Sequence, residues 1–453
     1  MGVINKINFS ELNKTQSLIA SSRVQYYWER MQIKSNNRPL NYFLSDDNDL
    51  SVGQLKTEEY EEKSDIKRIP IIDQSKTFIA GYTDREDLVY KGKLPVIIFG
   101  DHTRTFKFVD FPFVQGADGI KILYPDKNKV NPIFFYYLLR FIGVPSRGYN
   151  RHFSVLSIQR YTLFDIEKQR GVLSKIIPIE QEINLLDNSR KEPTSIINQV
   201  FGEAFGFNWE EFDTIKREKT YKSSISKFAN NIDCRMGIRF HNKAGVYIQS
   251  FLETKTDKKI KDFISEPIVL GKSVSPKDYD EEGEYYYIAM SNIKTWAFDP
   301  EDCKKVSEAY ALSNQNKTVK EGDILLARSG EGTIGKVALI EDEEINGFFA
   351  DFTQRIRLKG FNPLCAYCYF RSDFFQYLVY THKKGLGNNT NIFPSQIKEF
   401  PMPDWDETKQ AEIVDAIKTQ LDAQKEIDRQ IEAKHQEINK LIEDTIRRDQ
   451  LDA

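Results

Sequence analysis

Apolar residues recur mostly at spacings of three, four and seven along the tail from Asp406 to Ile446, a stretch that contains neither glycine nor proline. This spacing predicts one amphipathic helix of about 40 residues, or roughly 60 Å. Two polar residues, Gln424 and Lys434, interrupt the stripe, so a perfect coiled coil is not implied. Such a rod needs a partner helix to cover its apolar face. The stripe consists of Ile413, Ile417, Leu421, Ile427, Ile431, Ile438, Leu441 and Ile442.

A second, rougher helical pattern runs from about Asp165 to Phe205 and supplies a candidate partner. When Gln169 is set on Gln410, later apolar positions of the two patterns coincide. We predict that Pro178 and Pro193 kink or break this central helix, because proline lacks the N–H that continues the hydrogen-bond ladder.

The segment before each long helix contains the same order of predicted elements. The first copy has an apolar strand at 94–100, a turn, the helical "NPIFFYYLLRF" at 131–141 and a polar loop. The second has a strand at 323–329, a turn, the helical "NPLCAYCYFRSDFFQYLVY" at 362–380 and another polar loop. We infer an internal duplication of about 230 residues and a pseudo-twofold molecule. Matched positions are Asn131 with Asn362, Ile158 with Ile397, and Asp165 with Asp404.

The stretch "DILLARSGEGTIGKVALI" at 323–340 contains Gly330, Gly332 and Gly335 at the spacing of a dinucleotide-binding turn. That turn requires a following helix, whose N-terminus holds the pyrophosphate. Here "KVALIED" follows, and its alternation predicts a strand. The glycines are therefore interpreted as a turn between strands, or as a turn that lets the backbone approach a bulky ligand closely.

Composition describes a soluble chain with a neutral balance of charge. It has 453 residues, of which 40% are hydrophobic and 29% charged, and a formal net charge of −3. The length predicts more than one domain, and any basic surface must be local. Four cysteines are too few for a disulfide scaffold of this size, which suits a reducing cytoplasm. No apolar run long enough for a membrane helix occurs, and the N-terminus lacks a signal-peptide pattern.

Three motifs that suggest catalysis or metal binding are explained better by structural roles of their residues. The pair Cys365 and Cys368 has the spacing of a redox or zinc motif, but it lies in an aromatic helical stretch without a second such pair. We predict buried thiols there. Asp101 and His102 could form half of a catalytic pair, yet the second copy offers neither residue, so a loop role is favoured. The acidic run at 341–344 is interpreted as a solvated turn.

Several segments together resemble the DNA specificity subunit of type I restriction–modification systems. They are "LLARSG", "TIGKVALI" and "ADFTQRIRL" in the second copy, followed by "NIFPSQIKEFPMPDWDETKQAEIVDAI" and the long terminal helix. In the first copy, "VIIFGDHTRTFKFVDFPFVQGADGIKIL" is similar to a second version of the same target-recognition domain. The resemblance runs from about Arg23 to Ile446, although the first domain's turn lacks the glycines of the second.

The resemblance implies a mixed α/β (α+β) fold with two tandem target-recognition domains. It places the first recognition domain at 1–164, a central helical spacer at 165–207, the second recognition domain at 208–404 and a C-terminal helical spacer at 405–453. The two long helices are expected to pack as an antiparallel, coiled-coil-like pair in a pseudo-twofold molecule.

The resemblance also implies a role without chemistry in this chain. Each recognition domain is expected to read one half of a split target in double-stranded DNA, and the helices to set the gap. Two methyltransferase subunits, which bind S-adenosylmethionine, are expected to dock on the helices. A motor–nuclease subunit that uses ATP and Mg²⁺ can join the complex. The chain itself is expected to bind no cofactor and no membrane, and to be cytoplasmic.

Residues that could contact DNA cluster in the turn and the loop of each copy, where Lys, Arg and small polar side chains suit phosphates and base edges. In the first copy they are His102, Thr103, Arg104, Lys107, Arg147, Tyr149, Asn150, Arg151 and His152. In the second copy they are Arg328, Ser329, Thr333, Lys336, Lys383, Lys384, Asn388, Asn389, Thr390 and Asn391.

Two other functions remain open on the sequence. The same helices and aromatic segments could form a non-catalytic protein scaffold that holds two partners at a fixed spacing. A stand-alone DNA endonuclease is a further alternative, although it needs carboxylates that converge across strands, which a sequence does not reveal.

Overall fold

The computed structural model describes residues 37–45, 53–61, 68–117, 119–146, 148, 151–218, 220, 226, 235, 237–293, 296–298, 300–301, 303–330, 332–386 and 389–451. The chain divides into two compact units. The first unit comprises Met1–Ser189 and Asp428–Ala453, and the second comprises Arg190–Ile427. Each unit therefore contains one segment of α/β character and a share of the long C-terminal helix.

In the described part of the first unit the strands form three small sheets. Strand β4 lies between β5 and β7, and both neighbours are antiparallel to it. Strand β2 lies between β3, which is antiparallel, and β6, which is parallel. Strands β1 and β8 form the third, antiparallel pair. The strands are β1 Asn37–Pro39, β2 Ile69–Ile72, β3 Gly81–Thr83, β4 Val96–Gly100, β5 Phe106–Val109, β6 Val114–Gln115, β7 Ile120–Leu123 and β8 Arg160–Thr162.

Among the described residues, the first unit also contains three α-helices up to Ser189. They are α1 Pro132–Ile142, α2 Phe153–Ile158 and α3 Ile166–Ser189. Helix α1 begins with proline at its first position, where the missing N–H costs no hydrogen bond. The side chain of Asn131 caps this helix by accepting hydrogen bonds from the N–H groups of Ile133 and Phe134. The predicted helix at 131–141 is confirmed.

Where the structure describes its chain, the second unit starts with the helices α4 Pro193–Phe205, α5 Trp209–Arg217 and α6 Lys243–Lys255. Its strands are β9 Val269–Leu270, β10 Tyr285–Ile288, β11 Lys304–Val306, β12 Ile324–Ala327, β13 Val337–Leu339, β14 Gly347–Phe349 and β15 Thr353–Ile356. The remaining helices are α7 Glu308–Ser313, α8 Pro363–Arg371, α9 Asp373–His382, α10 Pro394–Ile397 and α11 Glu407–Leu451, of which α11 passes into the first unit after Ile427.

The two units repeat the same sheet topology. The order β13-β12-β15 reproduces β5-β4-β7, again with antiparallel neighbours, and β9 adds a fourth strand at one edge. The order β11-β10-β14 reproduces β3-β2-β6, and its β10–β14 pair is parallel like β2–β6. Matching strand order and direction in both sheets supports the internal duplication inferred from the sequence.

The long terminal helix forms as its apolar spacing predicts, and it contributes to both hydrophobic cores. Ile413 and Ile417 are buried in the core of the second unit. Ile438, Ile442 and Ile446 are buried in the core of the first unit, with residues of α3. Full burial of an isoleucine side chain stabilises the folded state by about 1.5–3 kcal/mol. These contacts therefore stabilise the long helix, which would be only marginally stable from its helix propensity alone.

The two prolines of the central helix behave differently. The helix stops at Ser189 and resumes at Pro193, which stands at the first position of α4. Pro178, in contrast, lies inside the continuous helix α3. A break is therefore confirmed at Pro193, whereas at Pro178 the helix continues and a kink stays a prediction. The predicted helix at 362–380 is also divided, because Ser372 adopts an extended backbone between α8 and α9.

The glycine-rich turn lies between two strands, as predicted. Strands β12 and β13 pair directly on either side of it, and Gly330, Gly332 and Gly335 all have positive φ angles, of 87°, 82° and 89°. Only glycine adopts such angles without a steric cost. The turn is therefore not the strand–turn–helix unit that a dinucleotide requires. In the part of the chain that the structure describes, no helix combines the length and apolar character needed to cross a membrane.

Candidate nucleic-acid interface

The turn and the loop of the second unit meet at Arg328, the first residue after β12. Its Nη1 donates a hydrogen bond of 3.1 Å to the Oδ1 of Asn391, and its Nε donates one of 2.8 Å to the carbonyl oxygen of Asp351. The N–H of Ile392 donates to the carbonyl oxygen of Arg328 at 2.9 Å. The guanidinium also lies 5.6 Å from the ring centre of Phe352, a contact suited to cation–π attraction. Arg328 thus fixes the loop against the turn.

The loop closes on itself beside this contact. Lys384 and Asn391 exchange two backbone hydrogen bonds, of 2.7 and 2.8 Å. Lys384 and Asn389 are exposed, whereas Thr390 is fully buried and Lys383 is nearly so. Of the predicted loop residues that the structure describes, Lys384 and Asn389 therefore present the most side chain to solvent.

The remaining predicted residues of the second turn face inward to different degrees. The hydroxyl of Thr333 donates to the carbonyl oxygen of Ser329 at 2.9 Å and so stabilises the turn itself. Ser329 forms an isolated β-bridge with Asn391. The ammonium of Lys336 lies 5.8 Å from the ring centre of Trp296. These residues shape the turn and hold it against the loop.

In the first unit, Asp101 makes the equivalent connection between turn and loop. Its Oδ1 accepts hydrogen bonds of 2.7 Å from the N–H groups of both His152 and Phe153, at the start of α2. Its carbonyl oxygen accepts another from the N–H of His152 at 3.0 Å, as that of Arg328 does from Ile392. His152 is almost completely buried, and its ring Nδ1 also lies 3.0 Å from the carbonyl oxygen of Asp101. Asp101 therefore joins the turn to α2.

The hairpin turn of the first unit is held by a loop that precedes it by about 30 residues. The carbonyl oxygen of Gln74 accepts hydrogen bonds from the hydroxyls of Thr103, at 2.5 Å, and Thr105, at 3.2 Å. The side-chain Oε1 of Gln74 accepts a third from the N–H of His102 at 3.2 Å. Arg104 is exposed and adopts a φ of 59°, and its Nη1 donates to the carbonyl oxygen of Val144 at 3.2 Å.

Lys107 does not have the exposure expected of a DNA contact. Only 4% of its surface is accessible, and its Nζ donates to the carbonyl oxygens of Asp73 at 2.7 Å and Thr77 at 2.6 Å. Burial lowers the pKa of this ammonium, an effect that the nearby carboxylate of Asp73 opposes. Lys107 and His152 therefore serve the interior of the unit. Neither side chain is proposed as a direct DNA contact.

Four predicted contact residues lie outside the residues that the structure describes, namely Arg147, Tyr149, Asn150 and Asn388. Arg151 is described and exposed. The role of every predicted residue in binding DNA stays a prediction.

Several residues that organise the site carry no sequence signal. Gln74 and Asp73 hold a turn from a distant loop, and no periodic pattern connects the two segments. Arg235 donates to the carbonyl oxygens of His382 and Lys383, at 3.0 and 2.9 Å, and so anchors the end of α9. Such contacts depend on the fold rather than on local spacing.

Two positions of the sequence alignment need correction. The Oδ1 of Asp165 accepts from the N–H of Lys168 at 2.7 Å, and that of Asp406 accepts from the N–H of Lys409 at 2.8 Å. The equivalent of Asp165 is therefore Asp406, not Asp404. Ile158 is 58% exposed while Ile397 is fully buried, so these two are not equivalent in packing either.

The cysteine pair of the second unit is buried, as predicted. Cys365 and Cys368 both lie in α8, and burial raises the pKa of both thiols, that of Cys368 to about 12. Such thiols stay protonated and unreactive at neutral pH. Within the described residues no group of three or more potential ligands is arranged to hold a metal ion.

Comparison with known proteins finds a family match in the second half of the chain. Residues 252–438 match the sequence family described as "Type I restriction modification DNA specificity domain". A curated relative, the "Type I restriction enzyme EcoR124I/EcoR124II specificity subunit" of Escherichia coli, is 32% identical over 130 residues. That match covers 27% of this chain and 32% of the relative, so the chain spans about a third of the curated relative's length.

Two solved structures align over most of the chain at low similarity. The S subunit of a type I restriction–modification system from M. genitalium has a TM-score of 0.37 and 12% identity, with 91% of this chain and 97% of that one covered. The HsdS subunit of Thermoanaerobacter tengcongensis has a TM-score of 0.30 and 10% identity, with 91% and 93% covered. The family match stands independently of these two structures, and over residues 252–438 it confirms the resemblance to type I restriction–modification DNA specificity subunits that the sequence shows.

Proposed function

We propose that this chain is the non-catalytic, sequence-specific DNA-binding subunit of a type I restriction–modification complex. The family assignment of residues 252–438 as a DNA specificity domain carries this proposal. In the proposal, the chain supplies recognition, and partner subunits supply the chemistry together with their S-adenosylmethionine, ATP and Mg²⁺.

We further propose that each unit reads one half of a split DNA target. The repeated sheet topology and the equivalent turn–loop contacts at Asp101 and Arg328 support this extension from the second unit to the first. Exposed residues beside those contacts are the proposed DNA-facing groups. In the first unit they are Arg104 and Arg151, and in the second they are Lys384 and Asn389.

The long helices are proposed to set the gap between the half-sites and to dock two methyltransferase subunits. In the first unit, Glu182 of α3 forms an ion pair with Lys434 of α11. In the second unit, the N–H of Lys191 donates to the Oε1 of Gln424 at 2.7 Å, and the ring of Phe201 stacks on Trp405 at 5.7 Å. Lys191 contacts Gln424, and the later residue Phe201 contacts the earlier residue Trp405. The two segments therefore run in opposite directions, which supports antiparallel pairing. A helix rises about 1.5 Å per residue, so the number of residues in the paired helices would set the distance between the two DNA half-sites.

A selection from random duplexes tests the split-target proposal. The full chain, with and without methyltransferase subunits, is expected to enrich two short sequence blocks separated by a fixed gap. Replacement of Asn389 by Ala should relax one base position in one block and weaken binding by about 1–3 kcal/mol. Replacement of Arg151 by Ala should affect only the other block.

A control variant uses Thr381, whose buried hydroxyl donates to the carbonyl oxygen of Tyr377 within α9 at 2.9 Å. Thr381→Val should lower stability and leave the selected sequence unchanged. Enrichment of no sequence at all, by the chain alone or with methyltransferase subunits, would contradict DNA recognition and favour the protein scaffold.

A further inference from the structure

A groove with cationic walls opens in the first unit beside the hairpin turn. Its volume is about 440 Å³, and it is lined by parts of four segments. Lys76 comes from the loop after β2, Arg104 and Lys107 from the hairpin, Arg140 from α1 and His435 from α11. None of the described residues that line this groove is acidic. We call it the cationic groove.

Neutral groups hold the two guanidinium groups of the cationic groove. Arg140 donates from Nη1 to the hydroxyl of Tyr136 at 3.2 Å and lies 5.4 Å from the centre of that ring. Arg104 donates to the carbonyl oxygen of Val144. Both side chains are exposed, as is Lys76. These contacts fix the guanidinium groups without neutralising their charge, and a planar guanidinium matches the geometry of phosphate oxygens.

His435, at one wall of the groove, lies within the field of Arg140. Burial lowers the pKa of His435, and the charge of Arg140 lowers it further. Glu180, Glu432 and Asp187 act in the opposite direction, each with a smaller effect than that of Arg140. Arg140 therefore acts on His435 more strongly than any one of these carboxylates does.

The second unit offers an internal comparison. Arg371 donates to the hydroxyl of Tyr367 at 2.9 Å, which repeats the contact between Arg140 and Tyr136. The ring of Trp296 lies 5.5 Å from the guanidinium of Arg371 and 5.8 Å from the ammonium of Lys336. An aromatic ring of the same unit therefore covers the repeated arginine, whereas the equivalent Arg140 faces the groove.

We propose that the cationic groove binds a phosphodiester group of the DNA backbone, independently of base sequence. The inference rests on the proposed function and deepens it, because Arg104 belongs to the hairpin turn that we expect to face DNA. Arg140, Lys76 and His435 extend this contact beyond the residues that the sequence indicated.

Equilibrium binding over a series of salt concentrations tests the proposal on the full chain. Fluorescence anisotropy is measured with a target duplex and with a scrambled duplex of equal length. Arg140→Gln and Lys76→Gln should each weaken both duplexes by the same factor. Each should also reduce the slope of log K against log salt by about one. Arg371→Gln removes the same charge from the covered site and should leave the slope unchanged.

The outcomes separate this proposal from the proposed function. Target-selective binding by the wild type, with unchanged slopes in both groove variants, overturns the groove and leaves the proposed function standing. Wild-type binding to neither duplex overturns both. Inorganic phosphate supplies a further arm. Phosphate could raise the melting temperature of the wild type but not of Arg140→Gln, while the DNA affinity of the variant stays unchanged. That result would mean that the groove binds a free anion, and it would contradict the proposal that the groove binds the DNA backbone.

Discussion

The side chain of Gln169 accepts a hydrogen bond of 2.7 Å from the backbone N–H of Asn131, the residue that caps α1. Its own amide donates to the carbonyl oxygen of Phe164 at 2.9 Å. In the second unit, Gln410 does the same, with bonds of 2.6 Å from Asn362 and 2.7 Å to the carbonyl oxygen of Trp405. A buried glutamine near the start of each long helix thus anchors the N-terminal cap of an earlier helix, α1 in the first unit and α8 in the second.

Replacement of either glutamine by leucine should destabilise its unit. Gln169 and Gln410 are 1% and 2% exposed, so the backbone groups that they serve would lose their partners away from water. An unpaired buried group costs about 1–3 kcal/mol, which gives roughly 2–4 kcal/mol for each variant by urea denaturation. The exposed Glu412→Gln should change stability by less than about 0.5 kcal/mol. Equal losses in the two variants would support equivalent units, and a loss in only one would contradict them.

Two glycines of the same turn should differ in their tolerance of a methyl group. Both have positive φ, so alanine costs roughly 1–2 kcal/mol at either position. A Cβ at Gly332 meets no atom within 4 Å, but at Gly335 it would lie 2.8 Å from the Oε1 of Gln376 and 3.0 Å from Val379. Thermal denaturation should therefore show Gly335→Ala to be the less stable variant, by a further 1–3 kcal/mol or so. Equal melting temperatures would contradict this packing.

The two prolines of the central helices provide another matched pair. Pro178 lies inside α3 and leaves the carbonyl oxygen of Ser174 without its helical N–H donor, whereas Pro193 stands at the first position of α4. We expect Pro178→Ala to raise the free energy of unfolding by about 1–3 kcal/mol. Pro193→Ala should change it by less than about 1 kcal/mol. If only Pro193→Ala raised the free energy of unfolding, the positions of the two prolines in their helices would be the reverse of those described.

The pH dependence of stability should report on His435. Its pKa in the folded chain lies below the ordinary value of 6.5, because of burial and of Arg140. The folded state therefore binds this proton less readily than the unfolded state does. The resulting stability is present above pH 6.5 and is lost as the pH falls through the folded pKa. Urea denaturation from about pH 8 to about pH 5 should show a smaller loss for His435→Gln than for the wild type. If the free energy of unfolding fell equally with pH in His435→Gln and the wild type, the lowered pKa of His435 would be contradicted.

Elements with a strong local pattern could be predicted from the sequence. The terminal helix, the strand–turn–strand around Gly332 and the capped helix at Asn131 all have signals in the residues that form them. The duplication was also visible, because Gln169 and Gln410 stand at equivalent positions of similar helices. The structure adds that these two residues make the same hydrogen bonds.

Features that depend on long-range packing could not be predicted. The loop before the helix matches Asp165 with Asp404, the register of Gln169 with Gln410 matches it with Asp406, and the capping geometry selects Asp406. Lys107 has the composition of a phosphate contact, but the loop carbonyl oxygens of Asp73 and Thr77 take up its ammonium. Pro178 lies within the continuous helix α3. Ile176 precedes it and Ile183 follows it, and both side chains are buried in the core of the first unit, which holds the helix together.

An exchange of the second recognition segment tests the central claim most directly. Residues 228–404 are replaced by the equivalent segment of a relative with a different target, and the full chain is expressed with methyltransferase subunits. Sequencing of the methylated DNA should show a change in one half of the target, while the other half and the gap stay as in the wild type. A change in both halves, or a methylated sequence identical to that of the wild type, would contradict independent recognition by the two units.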